Sequence, residues 1–269
     1  MSDTGAQKVL VEREDAVGVI TINRPDVRNV VDPDVASGIE AALDDLDADS
    51  VIRAVVLTGA GDKAFCAGMD LRAFAKLGPK AGFFTENGGF GGFTARKLVK
   101  PVVVAVNGPA FGGGLEMVLA ADCAIASSSA KFALPEVKVG MHAGAGGVIR
   151  LAKRIPRAVA LEMVMSGEPI SAQRALDLGL VNEVVAPDQV RHQALRLAKS
   201  FAAASPTAVL VSRELMLRSL ETPNEADAWK LNKTAARIVL KCGDAKEGPR
   251  AFAEKRSPEW ADAGPIDLG

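Results

Sequence analysis

The residues of this chain whose types and spacing could carry chemistry are two glutamates and the glycine-rich segments beside them. Ala64-Phe-Cys-Ala-Gly-Met-Asp-Leu71 and Asn107-Gly-Pro-Ala-Phe-Gly-Gly-Gly-Leu-Glu116 each place small residues where a strand hands over to the next element. Glycine lets a backbone approach a ligand closely, and the first amides of a helix have no internal partner. Such amides favour negative charge, helped by the helix dipole. One amide from each loop could grip the same oxygen and form an oxyanion hole, worth about 3–4 kcal/mol per donor. Glu116 falls in the first turn after the glycines, which stabilises its carboxylate form; a glutamate that merely complements the dipole reads the same way. Glu136 follows Pro135 in a mostly apolar stretch ahead of another glycine-rich run, residues 140–147. Burial there would favour its protonated form and suit it to act as an acid, whereas a surface turn would leave it an ordinary carboxylate. Two glutamates 20 residues apart, each beside such a loop, say more together than either alone. General acids and bases contribute about 10²–10⁴ in rate each.

The elements that must position them read as α/β. Three β-branched runs, residues 17–22, 51–58 and 102–106, end at polar or glycine turns and predict strands covered on both faces. Helical spacing predicts a helix over 34–46 capped by Asp34, and another over 115–121 behind the glycines. Ser171 reads as the cap of a helix over 172–178, Gly179 as its end, and 180–185 as a last strand. Beyond Pro187 the patterns are helical, notably 189–204 and 206–219. The expected division is therefore an α/β core over 1–186 and a helical region over 187–269. The low-complexity stretch 82–93 holds four phenylalanines among glycines. It reads as a mobile loop with its aromatics tucked beneath it, or as a flexible wall over an apolar substrate chain.

Bulk properties exclude several classes. A net charge of -1 without blocks of like charge leaves no electrostatic footprint for nucleic acid. No run approaches the roughly 20 apolar residues needed to cross a bilayer, and the polar N-terminus shows no signal-peptide stretch, so no membrane association is expected. Three scattered cysteines predict reduced thiols in a cytoplasmic setting, with Cys66 notable for its place in the first loop. Gly59-Ala-Gly-Asp-Lys-Ala64 fits a dinucleotide fingerprint, but Phe65-Cys-Ala-Gly68 follows where a long helix should begin. Two histidines, His142 and His192, without a GxSxG elbow argue against a serine hydrolase. No metal-ligand spacing is present.

The segments AFCAGMDL, VNGPAFGGGLEMVLAADCAIA, FALPEVKVG and GAGGVIRL resemble those of the enoyl-CoA hydratase/isomerase (crotonase) family, in the family's order and spacing. With Asn23-Arg-Pro25, Gly179-Leu-Val181 and Ala251-Phe-Ala-Glu-Lys-Arg256, the resemblance spans nearly the whole chain. It implies a crotonase-like spiral of ββα units with a C-terminal helical trimerisation region, assembled as a homotrimer or dimer of trimers. It implies an acyl-CoA substrate and no separate cofactor. Residue by residue, it makes Met69 and Gly113 the oxyanion-hole amides, Glu116 the base that activates water, and Glu136 the acid that protonates the α-carbon. Gly144 matches a glycine whose amide helps place that water. Val27, Ala67, Asp70 and Leu71 fall where the family lines the CoA nucleotide, and Phe252 and Lys255 match residues reaching a neighbouring subunit's CoA. Both glutamates are kept, which favours hydration or its reverse over isomerisation. Ala143, His142 and Val148-Ile149 depart from the family's usual residues, and local likeness to the carnitinyl-CoA dehydratase branch lies in GVIRLAK and EGPRAFAEKR. Carnitinyl-CoA dehydratase, isomerase, thioester hydrolase and a catalytically silent CoA-binding scaffold are the alternatives.

Overall fold

The computed structural model describes residues 7–78, 80–261, 263 and 266–268. The chain forms two compact units, Met1–Ala198 and Lys199–Gly269. The first carries strands β1 (Val9–Glu14), β2 (Val17–Ile22), β3 (Ala54–Gly59), β4 (Phe84–Thr85), β5 (Gly89–Phe90), β6 (Val102–Val106), β7 (Ala110–Phe111), β8 (Cys123–Ser127), β9 (Lys131–Ala133), β10 (Ile170–Ser171) and β11 (Glu183–Val185). Its helices are α1 (Pro33–Ala48), α2 (Leu71–Leu77), α3 (Gly113–Ala120), α4 (Gly147–Arg154), α5 (Arg157–Ser166), α6 (Ala172–Asp177) and the first turns of α7 (Val190–Ala202).

The three β-branched runs become β2, β3 and β6, neighbours in a six-stranded sheet ordered β1-β2-β3-β6-β8-β11. The sheet is parallel except for the β1–β2 hairpin. Every residue of β2, β3 and β6 is buried, as a sheet covered on both faces requires. β3 starts at Ala54 rather than at Val51. The amides of Val51 and Ile52 are taken by the side chain and carbonyl of Asp49, which holds these residues in a turn.

A second, three-stranded sheet ordered β10-β9-β7 lies along the path of the chain, and Cys66 extends it through a bridge to Ala110. Each turn of the chain thus lays a long strand in the large sheet, a short one in the small sheet, and then a helix. β3, Cys66 and α2 make one turn; β6, β7 and α3 make the next; β8, β9 and the short helix Pro135–Val139 follow. This is the spiral of ββα units.

α1 begins one residue earlier than its sequence pattern suggests, and Asp32 rather than Asp34 caps it. The Asp32 carboxylate accepts the Val35 N–H at 2.9 Å, with Pro33 filling the first turn where no amide partner is needed. Asp32 is buried, and burial opposes its ionisation. Hydrogen bonds from Lys8 (2.7 Å) and Val35, together with the charge of Arg24, still hold its carboxyl below the ordinary range. Asp32→Ala should lower stability by about 1–2 kcal/mol from the lost cap alone, read as a shift in urea midpoint. Because the folded-state pKa is depressed, the wild-type advantage persists above the unfolded value and fades as pH falls through the folded one.

Residues 82–93 are not a loose loop. β4 and β5 pair as a short hairpin, Phe83, Phe90 and Phe93 are buried, and Thr85 Oγ1 donates to Glu40 Oε1 of α1 at 2.8 Å. A Cβ on Gly92 would stand 2.3 Å from the Ala36 carbonyl oxygen, so only glycine lets the segment lie on α1 this closely. Burial of three rings outweighs the chain entropy of the glycines.

The second unit comprises the end of α7 with α8 (Pro206–Ser219), α9 (Glu225–Lys241) and α10 (Asp244–Glu254). Val211, Ala235 and Leu268 form its small core, and Ser205 both caps α8 and donates to Asp244. The units divide at Ala198 rather than at Ala186. The first turns of α7 stay with the first unit because Arg191 donates to Glu12 and Glu14 of β1, and Gln193 to Glu183 of β11. Val190, Ala194 and Ala198 on that stretch are fully buried. Among the described residues, no helix is long and apolar enough to cross a membrane.

Candidate active site

The small sheet gathers the candidate residues because each follows its sheet position by a similar short stretch. Phe111 donates its amide to the Cys66 carbonyl, and Gly112 donates to the Ala133 carbonyl, so the three chain segments leave the sheet side by side. Met69, Gly113 and Glu136 come next on them. Cys66 itself is packing. Its thiol is fully buried, burial pushes it up to about 12, and its Sγ accepts the Gly68 amide at 3.4 Å.

Met69 is flanked by two hydrogen bonds to one residue: Val31 donates to the Gly68 carbonyl and accepts from the Asp70 amide, each at 2.8 Å. That pairing turns the Met69 amide away from Val31. Gly113 opens α3, where no carbonyl lies one turn back. Among the described residues neither amide has a hydrogen-bond partner. The two backbones touch, since a Cβ on Gly68 would lie 3.3 Å from the Gly113 nitrogen. Two glycines of α3's entry are fixed by their surroundings. Gly112 adopts φ 54 and ψ -125, a conformation open to glycine, while a Cβ on Gly113 would stand 2.1 Å from the Phe90 ring.

Glu116 projects from the first turn of α3 and is 3% exposed. Its Oε1 accepts the amides of Ala145 at 2.7 Å and Gly147 at 2.9 Å, so its carboxylate caps the start of α4. Burial raises its pKa, while those two amides and the charge of Arg150 work in the opposite direction. Glu136 sits in the short helix Pro135–Val139 behind Gly112; a Cβ there would lie 2.9 Å from its Oε1. Its Oε2 is buried without a hydrogen-bond partner among the described residues. Burial, with the neighbouring charge of Glu116 adding to it, pushes Glu136 up to about 7, against its own backbone amide and the charge of His142. One carboxyl thus accepts two amides from the 145–147 turn, while one oxygen of the other has no partner among the described residues.

The remaining candidates fall into three places. Val27, Ala67, Asp70 and Leu71 are brought to one region by the Ala67–Arg28 hydrogen bond and the Val31–Met69 bridge. Val27 and Leu71 are exposed there. The Asp70 carboxylate is already engaged, capping α2 through the amides of Arg72 and Ala73 and accepting from Arg24 at 3.1 Å. Phe252, exposed, and Lys255, at φ 52, lie on the end of α10 in the second unit. Gly144 is exposed, and its amide is not among those that hold Glu116; a Cβ on it would stand 3.1 Å from the exposed His142 Nε2. Sequence reasoning missed Ala145 and Gly147 as the Glu116 partners. The signal was present in Gly144-Ala-Gly-Gly147 directly ahead of a helix, whose free first amides need an acceptor.

Comparison with known proteins adds the following. The model of the family described as Enoyl-CoA hydratase/isomerase matches residues 12–263. A carnitinyl-CoA dehydratase of Proteus mirabilis is 45% identical over 218 residues, 79% of this chain and 82% of that protein. The crystal structure of an enoyl-CoA hydratase from Mycobacterium tuberculosis superposes with a TM-score of 0.89 at 40% identity, covering 96% of this chain and 100% of that one. A carnitinyl-CoA hydratase from Mycobacterium avium gives a TM-score of 0.76 at 43% identity, with 95% and 99% coverage.

Proposed function

This chain belongs to the enoyl-CoA hydratase/isomerase family, and we propose that within it the chain adds and removes water across the 2,3 double bond of an enoyl-CoA thioester. The observation that carries this reading is the divergence of the two carboxyls. Glu116 is held by two amides, and Glu136 has a bare, buried oxygen and is pushed up to about 7. An isomerase needs one proton carrier at a time; hydration needs a base for water and an acid for carbon together.

The thioester oxygen binds between the Met69 and Gly113 amides, which stabilise the negative charge that grows there as the enolate forms. Ionised Glu116 takes a proton from water, whose oxygen bonds to the β-carbon. Protonated Glu136 delivers its proton to the α-carbon, and the pair resets when the proton on Glu116 returns to Glu136 through solvent. Dehydration runs the same steps backward. No cofactor beyond the CoA of the substrate enters, and the exposed Val27 and Leu71 flank the nucleotide. The α8–α10 region assembles a homotrimer or dimer of trimers in which Phe252 and Lys255 reach a neighbour's CoA; the working compartment is the cytoplasm.

A carnitinyl-CoA dehydratase is the second reading, favoured by the 45% identity to a protein of that name. The test is loss of enoyl-thioester absorbance on adding the protein to crotonyl-CoA and, separately, to crotonobetainyl-CoA. Rapid loss with the first supports a general hydratase. Selective loss with the second supports the carnitinyl branch, and no loss with either refutes hydration.

A further inference from the structure

Arg150 lies on α4, one turn past the residues that hold Glu116. Its guanidinium is half-buried and folds back over the turn, donating from Nη1 to the Ala145 carbonyl at 3.3 Å. Gly146, at φ 103, permits this; a Cβ there would stand 2.3 Å from Nη1. The same residue, Ala145, therefore gives its amide to Glu116 and its carbonyl to Arg150. That carbonyl is the one hydrogen-bond partner of the Arg150 guanidinium among the described residues. A half-buried cation spent on one neutral acceptor is poorly compensated, unless its charge serves a group nearby. Glu116 is that group. The charged groups facing Glu116 are Arg150 from α4 and Glu136 from the short helix Pro135–Val139, and His142 in turn faces Glu136.

We propose that Arg150 is a positioning residue that fastens the 145–147 turn onto Glu116 and keeps this buried base ionised. The role rests on the reading of Glu116 as the base. Arg150 does not touch the reacting atoms; it acts through the Ala145 backbone and through its field. Because a cation favours the ionised carboxylate, its removal must raise the Glu116 pKa, and activity should then be lost at a higher pH on the acid side.

The decisive measurement needs no turnover. The Glu116 carboxylate band is titrated as the infrared difference between wild type and Glu116→Gln, and again in the Arg150→Gln background. Arg150→Gln should raise the titration midpoint by about one unit, tenfold less ionised base at a given acidic pH. Arg150→Lys, which keeps the charge, should return it most of the way. An unmoved midpoint in Arg150→Gln overturns the proposal. If glutamine unfolds the protein, Arg150→Met, which keeps the packing of the stem, takes its place. With crotonyl-CoA, the acid limb of kcat should move by the same amount while KM stays near wild type. A uniform drop in kcat with an unshifted limb would mark a purely structural residue. If wild type turns over neither crotonyl-CoA nor crotonobetainyl-CoA, the hydratase reading falls, while the infrared titration still decides the role of Arg150.

Discussion

Glu136→Gln should lower kcat by about 10²–10⁴-fold, the range set by loss of one proton carrier, with binding of free CoA nearly unchanged. The amide has the size of the acid and no proton to give to carbon. Its site asks for no charge: Oε2 is buried without a partner, and the wild-type group is already pushed up to about 7 by burial. The variant should therefore fold at least as well as wild type. The pH dependence follows with its sign. Hydration requires Glu136 protonated, so kcat in that direction should fall as pH rises through about 7. Since the two carboxyls sense each other, the limbs belong to the pair. Stopped-flow absorbance at several pH values gives both results. Near-normal turnover by the glutamine variant would remove Glu136 from the chemistry.

Glu116→Gln offers a useful contrast. A glutamine oxygen can still accept from Ala145 and Gly147, so the α4 cap survives while the charge is lost. The double variant should be little worse than either single one, because in the proposed mechanism the two carboxyls act as one unit.

What the sequence made legible follows the range of the forces involved. β2, β3 and β6 were readable because burial on both faces leaves runs rich in β-branched residues, and Pro206–Ser219 because its helical pattern is contained within the segment. Glu116 and Glu136 could be singled out by their glycine neighbours. Their different environments could not, since those depend on contacts to residues far along the chain. The Glu116 oxygen meets a turn 29 residues on, and Glu136 lies behind Gly112. The α1 cap was misplaced because Asp32 and Asp34 flank Pro33 and either carboxylate suits the local pattern. Asp32 wins because its side chain reaches Val35 and is clamped by Lys8 and Arg24. In the 82–93 segment the tucked-in aromatics were legible and the hairpin was not, for the same reason. Glycine reads as freedom until α1 supplies the surface on which Gly92 must fit.

Gly113→Ala should be strongly damaging, because it strikes packing and the proposed chemistry together. The new Cβ would meet Phe90 Cε1 at 2.1 Å, and that ring is buried beneath a hairpin docked on α1. The ring has little room to yield, so the first turn of α3 must move and carry the Gly113 amide with it. Overpacking of this kind costs about 1–3 kcal/mol of stability. Displacing one of the two proposed oxyanion donors should cost about 10²–10³ in kcat. A smaller side chain at position 90 should separate the two effects. Phe90→Leu in the Gly113→Ala background is expected to recover melting temperature and a measurable part of kcat, whereas Phe90→Leu alone should cost stability by leaving a cavity. Thermal melts and crotonyl-CoA kinetics on the three variants form a double-mutant cycle with a predicted favourable coupling. Additive losses would mean that Phe90 does not set the position of the Gly113 amide, and the packing account of this half of the oxyanion hole would have to be abandoned.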